Sequence, residues 1–197
     1  EGDWRGIDFN KVTSSTMRRQ GKALANLTKK GETRSHNEDR VQCAGNLQRH
    51  FESCKTEGSE NKVHGRRLNV YELVKDVYEE EELSAMNKII VDRINLQWED
   101  NKKNNKGLGA FIPCSDVSYS MHADDRTPLY SSIGLGIRAS EMTHPAFANR
   151  ILTFSDIPTW HIFNKDDTFT NKVLNIKNTN SGLGTNFYRA LKMILDV

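Results

Sequence analysis

Apolar residues recur at helical spacing in three stretches of the first half of the chain, and the period then changes. In the first stretch Met17, Ala23, Leu24 and Leu27 mark one face. Ser14 or Ser15 stands where a side-chain oxygen would cap the helix, and Gly31 is placed to end it. A short helical stretch is expected over 41–51, then loop over 52–67, where Gly, Ser, Asn and His are scattered among charges. Asn69 opens the second region, with Val70, Leu73, Val74 and Val77 three and four residues apart. A third helix over 83–101 puts Met86, Ile89, Ile90, Ile94 and Trp98 on one stripe. Residues 102–109, with two Lys-Asn steps and two glycines, read as a linker.

Beyond the linker, residues 108–115 form a strand-like apolar run, and 128–143 a helix opening on Pro128, whose fixed φ suits a first helical turn. Residues 151–154 form a second strand, which 159–163 would follow antiparallel after a short Asp-Ile-Pro turn. Thr168 caps a helix through Val173 and Leu174, a Gly/Ser/Asn loop covers 178–184, and 185–195 is a final amphipathic helix. Strand, helix, strand pair, helix, helix is the opening half of an open α/β sheet. The expected organisation is a helical, partly irregular region over 1–107 and an α/β domain over 108–197.

Composition narrows the class. Apolar residues make up 36% and charged residues 27%, so a modest core with a wet periphery is expected. No apolar run approaches the ~18 residues of a spanning helix, which argues against a membrane-embedded chain. Cys43, Cys54 and Cys114 are odd in number, without a Cys-x-x-Cys or histidines at zinc spacing, so reduced thiols and an intracellular, cytoplasmic setting are expected. Asn26-Leu-Thr is a nominal glycosylation triplet and reads as chance. Charge is uneven: residues 1–67 hold 14 Lys and Arg against 9 Asp and Glu, whereas 108–197 hold 8 of each.

The chemistry lies in Ile112-Pro-Cys-Ser-Asp116-Val-Ser118-Tyr-Ser120-Met121, an apolar strand running into Asp-x-Ser-x-Ser. At the carboxyl end of a strand, a tight turn can aim the Asp116 carboxylate and the Ser118 and Ser120 hydroxyls at one point. Hard divalent cations take such oxygens, and Mg²⁺ keeps several waters beside few protein carboxylates. Gly182-Leu-Gly184-Thr185 could deliver a further hydroxyl at the start of the last helix.

These two motifs, in this order, resemble the metal-ion-dependent adhesion site of von Willebrand factor A domains, and Arg150-Ile-Leu-Thr-Phe-Ser-Asp156 resembles that fold's second strand. The resemblance covers 108–197. It implies an incomplete von Willebrand A-like, Rossmann-like open sheet, with Asp116, Ser118, Ser120 and Thr185 holding Mg²⁺ or Mn²⁺ and an open position for an acidic residue of a protein partner. The family's third metal element, an Asp ending the fourth strand, has no counterpart before Asp196-Val197. The expectation is that the rest of the sheet comes from a longer polypeptide or a second chain, because residues 110–115 would be central and call for pairing on both sides. Asp3-Trp4-Arg-Gly-Ile7-Asp8-Phe9-Asn10-Lys11-Val12, Asn69-Val-Tyr71-Glu72-Leu73-Val74 and Gln97-Trp98 look like an uncharacterised family of eukaryotes and giant DNA viruses, which joins a helical region to a von Willebrand A-like domain. Its layout is similar to Ro-type RNA-binding proteins.

Three functions follow as expectations: a non-enzymatic binding or assembly module using the metal site; an RNA-binding ribonucleoprotein component, contacting phosphates through Arg18, Arg19, Arg66 and Arg67; and a structural, virion-associated component of a giant virus. Blander readings stand beside them. Asp116, Ser118, Ser120 and Thr185 could serve only as turn and cap residues. The basic face could be simply solvated, since Trp4, Phe9 and Phe51 do not interleave with the arginines. Ser118, His122 and Asp124 do not make a nucleophilic triad, lying too close in sequence and without a Gly-x-Ser-x-Gly elbow. Asp156, Asp166 and Asp167 read as turn and cap residues.

Overall fold

A computed structural model describes residues 2–79, 87–103, 109–179, 184 and 186–196. The protein is of mixed α/β type and divides into two compact units, Glu1–Leu68 with Glu82–Lys103, and Asn69–Glu81 with Asn104–Val197. One change of unit falls between Lys103 and Asn104. The second helical region, expected with the helical part of the chain, belongs instead to the α/β unit.

The first unit is built on helices α1 (Ser14–Leu24), α2 (Glu38–Cys54) and α4 (Lys88–Lys102). Thr13, rather than Ser14 or Ser15, caps α1 by accepting the Thr16 N–H, because Ser14 is already helical and buried. The helix stops at Leu24, well before Gly31, where Asn26 takes a left-handed φ of 56°. Asn26 is buried and its amide donates to the Ser35 carbonyl at 2.7 Å, so the glycosylation triplet is occupied by structure. Helix α2 is longer than its apolar pattern suggests, since Asn37 caps it and Glu38 and Asp39 complement its positive end. Met17, Leu24, Cys43, Leu47, Phe51 and Val63 form the core between these helices.

The segment expected as loop over 52–67 is pinned at several points. Asn10 and Asn61 bond side chain to side chain at 2.7 Å, and Gly65 N–H donates to the buried Asp100 carboxylate at 2.8 Å. Asn101 donates to the carbonyls of Gly65 and Leu68 at 2.8 and 2.9 Å. Gln97, fully buried on α4, donates to the Ser14 and His64 carbonyls. These polar side chains of α4 satisfy backbone groups that an irregular segment would otherwise bury unpaired.

In the second unit, helices α3 (Val70–Tyr78), α5 (Thr127–Met142), α6 (Phe169–Lys177) and α7 (Phe187–Leu195) surround strands β1 (Cys114–Asp116), β2 (Arg150–Phe154) and β3 (Thr159–Ile162). Asn69 and Glu72 close a capping box on α3. The sheet order is β1-β2-β3, with β1 parallel and β3 antiparallel to β2. The first strand is shorter than the apolar run 108–115 suggests. Pro113 lacks an N–H, and the backbone before it is taken up by Thr143, whose hydroxyl accepts from the Phe111 N–H at 3.1 Å and lies 2.7 Å from the Phe111 carbonyl. Phe111 and Ile112 are accordingly half-buried. Among the described residues β1 pairs on one side only.

Helix α5 lies against β1 closely enough that a Cβ on Gly136 would fall 2.1 Å from Ser115 Oγ, and α3 against α5 closely enough that one on Gly134 would fall 2.1 Å from Val70 Cγ1. Ile151 and His161 pair across β2 and β3 on one face, where α6 meets the ring: His161 Nδ1 is 2.7 Å from Asn175 Oδ1, and Nε2 3.0 Å from Thr153 Oγ1. A neutral ring with Nδ1–H satisfies both contacts. Burial pushes its pKa below the ordinary histidine value, against the Asn175 hydrogen bond that raises it, and burial does the same to His50. The unfolded chain therefore takes up protons that the native chain refuses. Stability is full above about pH 6.5 and falls as pH drops towards the depressed native values, by at most ~1.4 kcal/mol per pH unit for each ring. Urea unfolding between neutral pH and pH 5 should show this slope, and His161→Leu should flatten it; an unchanged slope would mean that the ring is protonated in place.

Candidate metal-binding turn at the end of the first strand

Strand β1 delivers Asp116 at its carboxyl end, in register with Phe154 of β2. The chain then turns sharply. Val117 N–H donates to the Phe154 carbonyl at 3.2 Å, Ser118 N–H to Asp116 Oδ1 at 2.8 Å, and Met121 N–H to the Ser118 carbonyl at 3.0 Å. The Ser118 and Ser120 hydroxyls lie 3.0 Å apart. The structure thus brings Asp116, Ser118 and Ser120 into one turn, with Ser118 buried, Asp116 half-buried and Ser120 exposed. Ser and Asp favour such geometry because their short side chains bond backbone two residues away.

The turn lies at the carboxyl ends of two parallel strands, where open α/β sheets place ligands. The start of α7 comes to the same end of β2: Asn186 N–H donates to the Ser155 carbonyl at 2.9 Å, and Phe187 packs edge-on against Phe154 with ring centroids 5.9 Å apart. A Cβ on Gly184 would fall 2.2 Å from Asp156 Oδ1, so Gly184 lies tight against the Asp156 carboxylate. Thr185 lies outside the described residues. Helix α7 is capped by Asn186, which accepts the Arg189 N–H.

Asp156, read from the sequence as a turn residue, follows the parallel strand β2 in Phe-Ser-Asp. Asp167 does serve a turn, accepting the Asn164 N–H at 2.8 Å. The Ser118 hydroxyl is engaged with Ser120, while His122 stacks on Tyr119 at 5.6 Å, an arrangement without the hydrogen-bonded order of a triad.

All donors in the turn are hard oxygens. Among the described residues no group of three or more His, Cys, Asp or Glu side chains is placed to hold a metal ion. One carboxylate with two hydroxyls fits Mg²⁺ or Mn²⁺ completed by water, and does not fit a zinc or copper centre.

The arginines nominated for phosphate contact have separate settings. Arg18 and Arg19 lie on α1. Arg66 stands 3.7 Å from the Asp100 carboxylate, to which its backbone N–H also donates, so it helps to hold the irregular segment; Arg67 is exposed. Cys43, Cys54 and Cys114 form no disulfide, and no helix among the described residues is long and apolar enough to cross a membrane.

Comparison with known proteins gives two likenesses. Residues 110–197 match the family described as "Domain of unknown function (DUF7788)". Over 158 residues the chain is 25% identical to "Uncharacterized protein L728" of Acanthamoeba polyphaga mimivirus, an alignment that covers 79% of this chain and 25% of that protein. The chain is thus similar to an uncharacterised family with a giant-virus relative, and spans about a quarter of that relative's length. No solved structure matches.

Proposed function

We propose that the α/β unit is a non-enzymatic binding module whose Asp116 turn holds Mg²⁺ or Mn²⁺ and offers it to an acidic group of a protein partner, in the manner of von Willebrand factor A domains. The observation that carries this reading is the turn itself, with Asp116 Oδ1 fixed by the Ser118 N–H at 2.8 Å and the two serine hydroxyls 3.0 Å apart at the carboxyl end of β1. The sheet order supports it, since β1 pairs in parallel with β2, the strand that resembles that fold's second. Asp116 supplies charge and one ligand oxygen. Ser118 and Ser120 orient the cation and leave room for water or a partner carboxylate, which the cation would capture as a Lewis acid. Thr185, which the resemblance adds to this set, would supply the further hydroxyl.

Metal binding to the native state alone stabilises it, by ~2.7 kcal/mol when free metal is a hundredfold above its dissociation constant. Mn²⁺ at millimolar concentration is therefore expected to raise the unfolding midpoint of the native sequence and not of Asp116→Ala, with Ser118→Ala intermediate. Retention of a glutamate-bearing peptide library should require Mn²⁺ and vanish with chelator. Indifference of the native protein to both metals in calorimetry would leave the turn as a metal-free cap.

A further inference from the structure

We infer that the hairpin following α1, with the basic side of that helix, is a docking surface for the phosphate backbone of a nucleic acid. This does not depend on the metal site, which belongs to the other unit. Residues 18–34 carry six Lys and Arg, namely Arg18, Arg19, Lys22, Lys29, Lys30 and Arg34, against the single acid Glu32.

The fold gathers them. Leu27 bridges Thr33 antiparallel, Thr28 N–H donates to the Glu32 carbonyl at 2.8 Å, and Gly31 N–H donates to the Thr28 carbonyl at 3.1 Å. Gly31 has the left-handed φ of 85° that closes this turn, which leaves Lys29 and Lys30 exposed at its tip. Lys22 Nζ donates to the Lys29 carbonyl at 3.1 Å, which ties the tip to α1 one turn after Arg18 and Arg19. The returning strand brings Arg34 alongside, its N–H donating to the Asn26 carbonyl at 2.8 Å.

By contrast, Lys11, Lys55, Lys75, Lys88, Lys102 and Lys172 each stand within 3.5 Å of a carboxylate. Among the described residues no carboxylate lies within ion-pair reach of Arg19, Lys29, Lys30 or Arg34. Such uncompensated cations on a fixed hairpin are suited to displacing counterions from a polyphosphate chain.

The surface fits nucleic acid better than a lipid bilayer. Met17 and Leu24, the large apolar residues of α1, are buried in the core, and residues 18–34 expose no large hydrophobic side chain, so nothing could insert beside the charges. Base reading is not expected either. Trp4 is covered by the Arg40 guanidinium, 3.6 Å from its ring, and so offers that face to no base.

Fluorescence anisotropy with labelled RNA and DNA of the same sequence, single-stranded and duplex, tests this. Backbone docking through four or more cations predicts a log–log salt slope of about −3 or steeper between about 50 and 200 mM salt. Lys29→Glu with Lys30→Glu should weaken binding at least tenfold and flatten the slope by about 1.5. The same charge change at Arg49 and Lys62, exposed at the His50 end of α2, should leave affinity within twofold. Equal affinity for RNA and DNA, or a preference for RNA, both fit. No binding at low salt, equal losses in the two double variants, or binding confined to phosphatidylserine vesicles would each overturn the proposal.

Discussion

Gly65→Ala is expected to destabilise the helical unit by about 3 kcal/mol or more, among the larger effects of a single methyl group. A Cβ at this position would fall 1.8 Å from the Gln97 carbonyl oxygen and 2.6 Å from its carbon. The obstacle is helical backbone, which cannot swing aside as a flexible side chain does. Relief requires moving residues 63–66 away from α4, and that movement breaks three bonds: Gly65 N–H to Asp100 at 2.8 Å, Asn101 to the Gly65 carbonyl at 2.8 Å, and Gln97 to the His64 carbonyl at 3.1 Å. Asp100 and Gln97 are buried, so their freed polar groups pay the desolvation penalty of unmade hydrogen bonds. Gly45→Ala is the control. It sits within α2 with nothing within 4 Å of its added Cβ, and alanine should be neutral or stabilising there by roughly 0.5 to 1 kcal/mol. Urea unfolding followed by circular dichroism separates the two. A Gly65→Ala protein as stable as the parent would show that the segment does not pack on α4 as described.

The second large effect concerns Lys172 and Glu141, paired at 2.7 Å with side chains only 5% and 13% exposed. Lys172 Nζ also stands 5.8 Å from the centre of the Phe163 ring. Lys172→Met should cost about 3 kcal/mol, because removing one member leaves a carboxylate in a poorly solvated site, whereas a matched apolar pair avoids that cost. Lys172→Met combined with Glu141→Leu should therefore regain most of the loss. If the double variant is no better than the single, the pair contributes through packing of the lysine stem and not through charge.

Local signals in the chain account for much of what was legible. Asn69 with Glu72 and Thr168 mark helix starts by local hydrogen bonding and Pro128 by its fixed φ, none of which needs a distant partner, and α3, α5 and α6 begin where those residues predict. The return from β2 to β3 is likewise local, since the turn joining them is short. The Asp-x-Ser-x-Ser turn belongs with these: its bonds run two or three residues along the chain, so the meeting of Asp116, Ser118 and Ser120 could be read from spacing.

The remaining features depend on long-range contacts, to which periodicity is blind. The length of β1 follows from Thr143, 32 residues away from Phe111, competing for the backbone that the apolar run offered to a strand. The allocation of α3 to the α/β unit rests on Gly134, which opens α5 to Val70 and Val74; a glycine inside a helix announces a close approach but not the partner. The order found within 52–67 comes from buried polar residues of α4, and Gln97, Asp100 and Asn101 look like an ordinary solvated face until the segment they hold is seen folded against them. By itself the sequence determined the starts of α3, α5 and α6 and the chemistry of the Asp116 turn, all written in neighbouring residues. Tertiary structure alone decided strand length, unit membership and the approach of Asp156 to Gly184, because each requires two distant segments to compete for the same space or the same hydrogen bond.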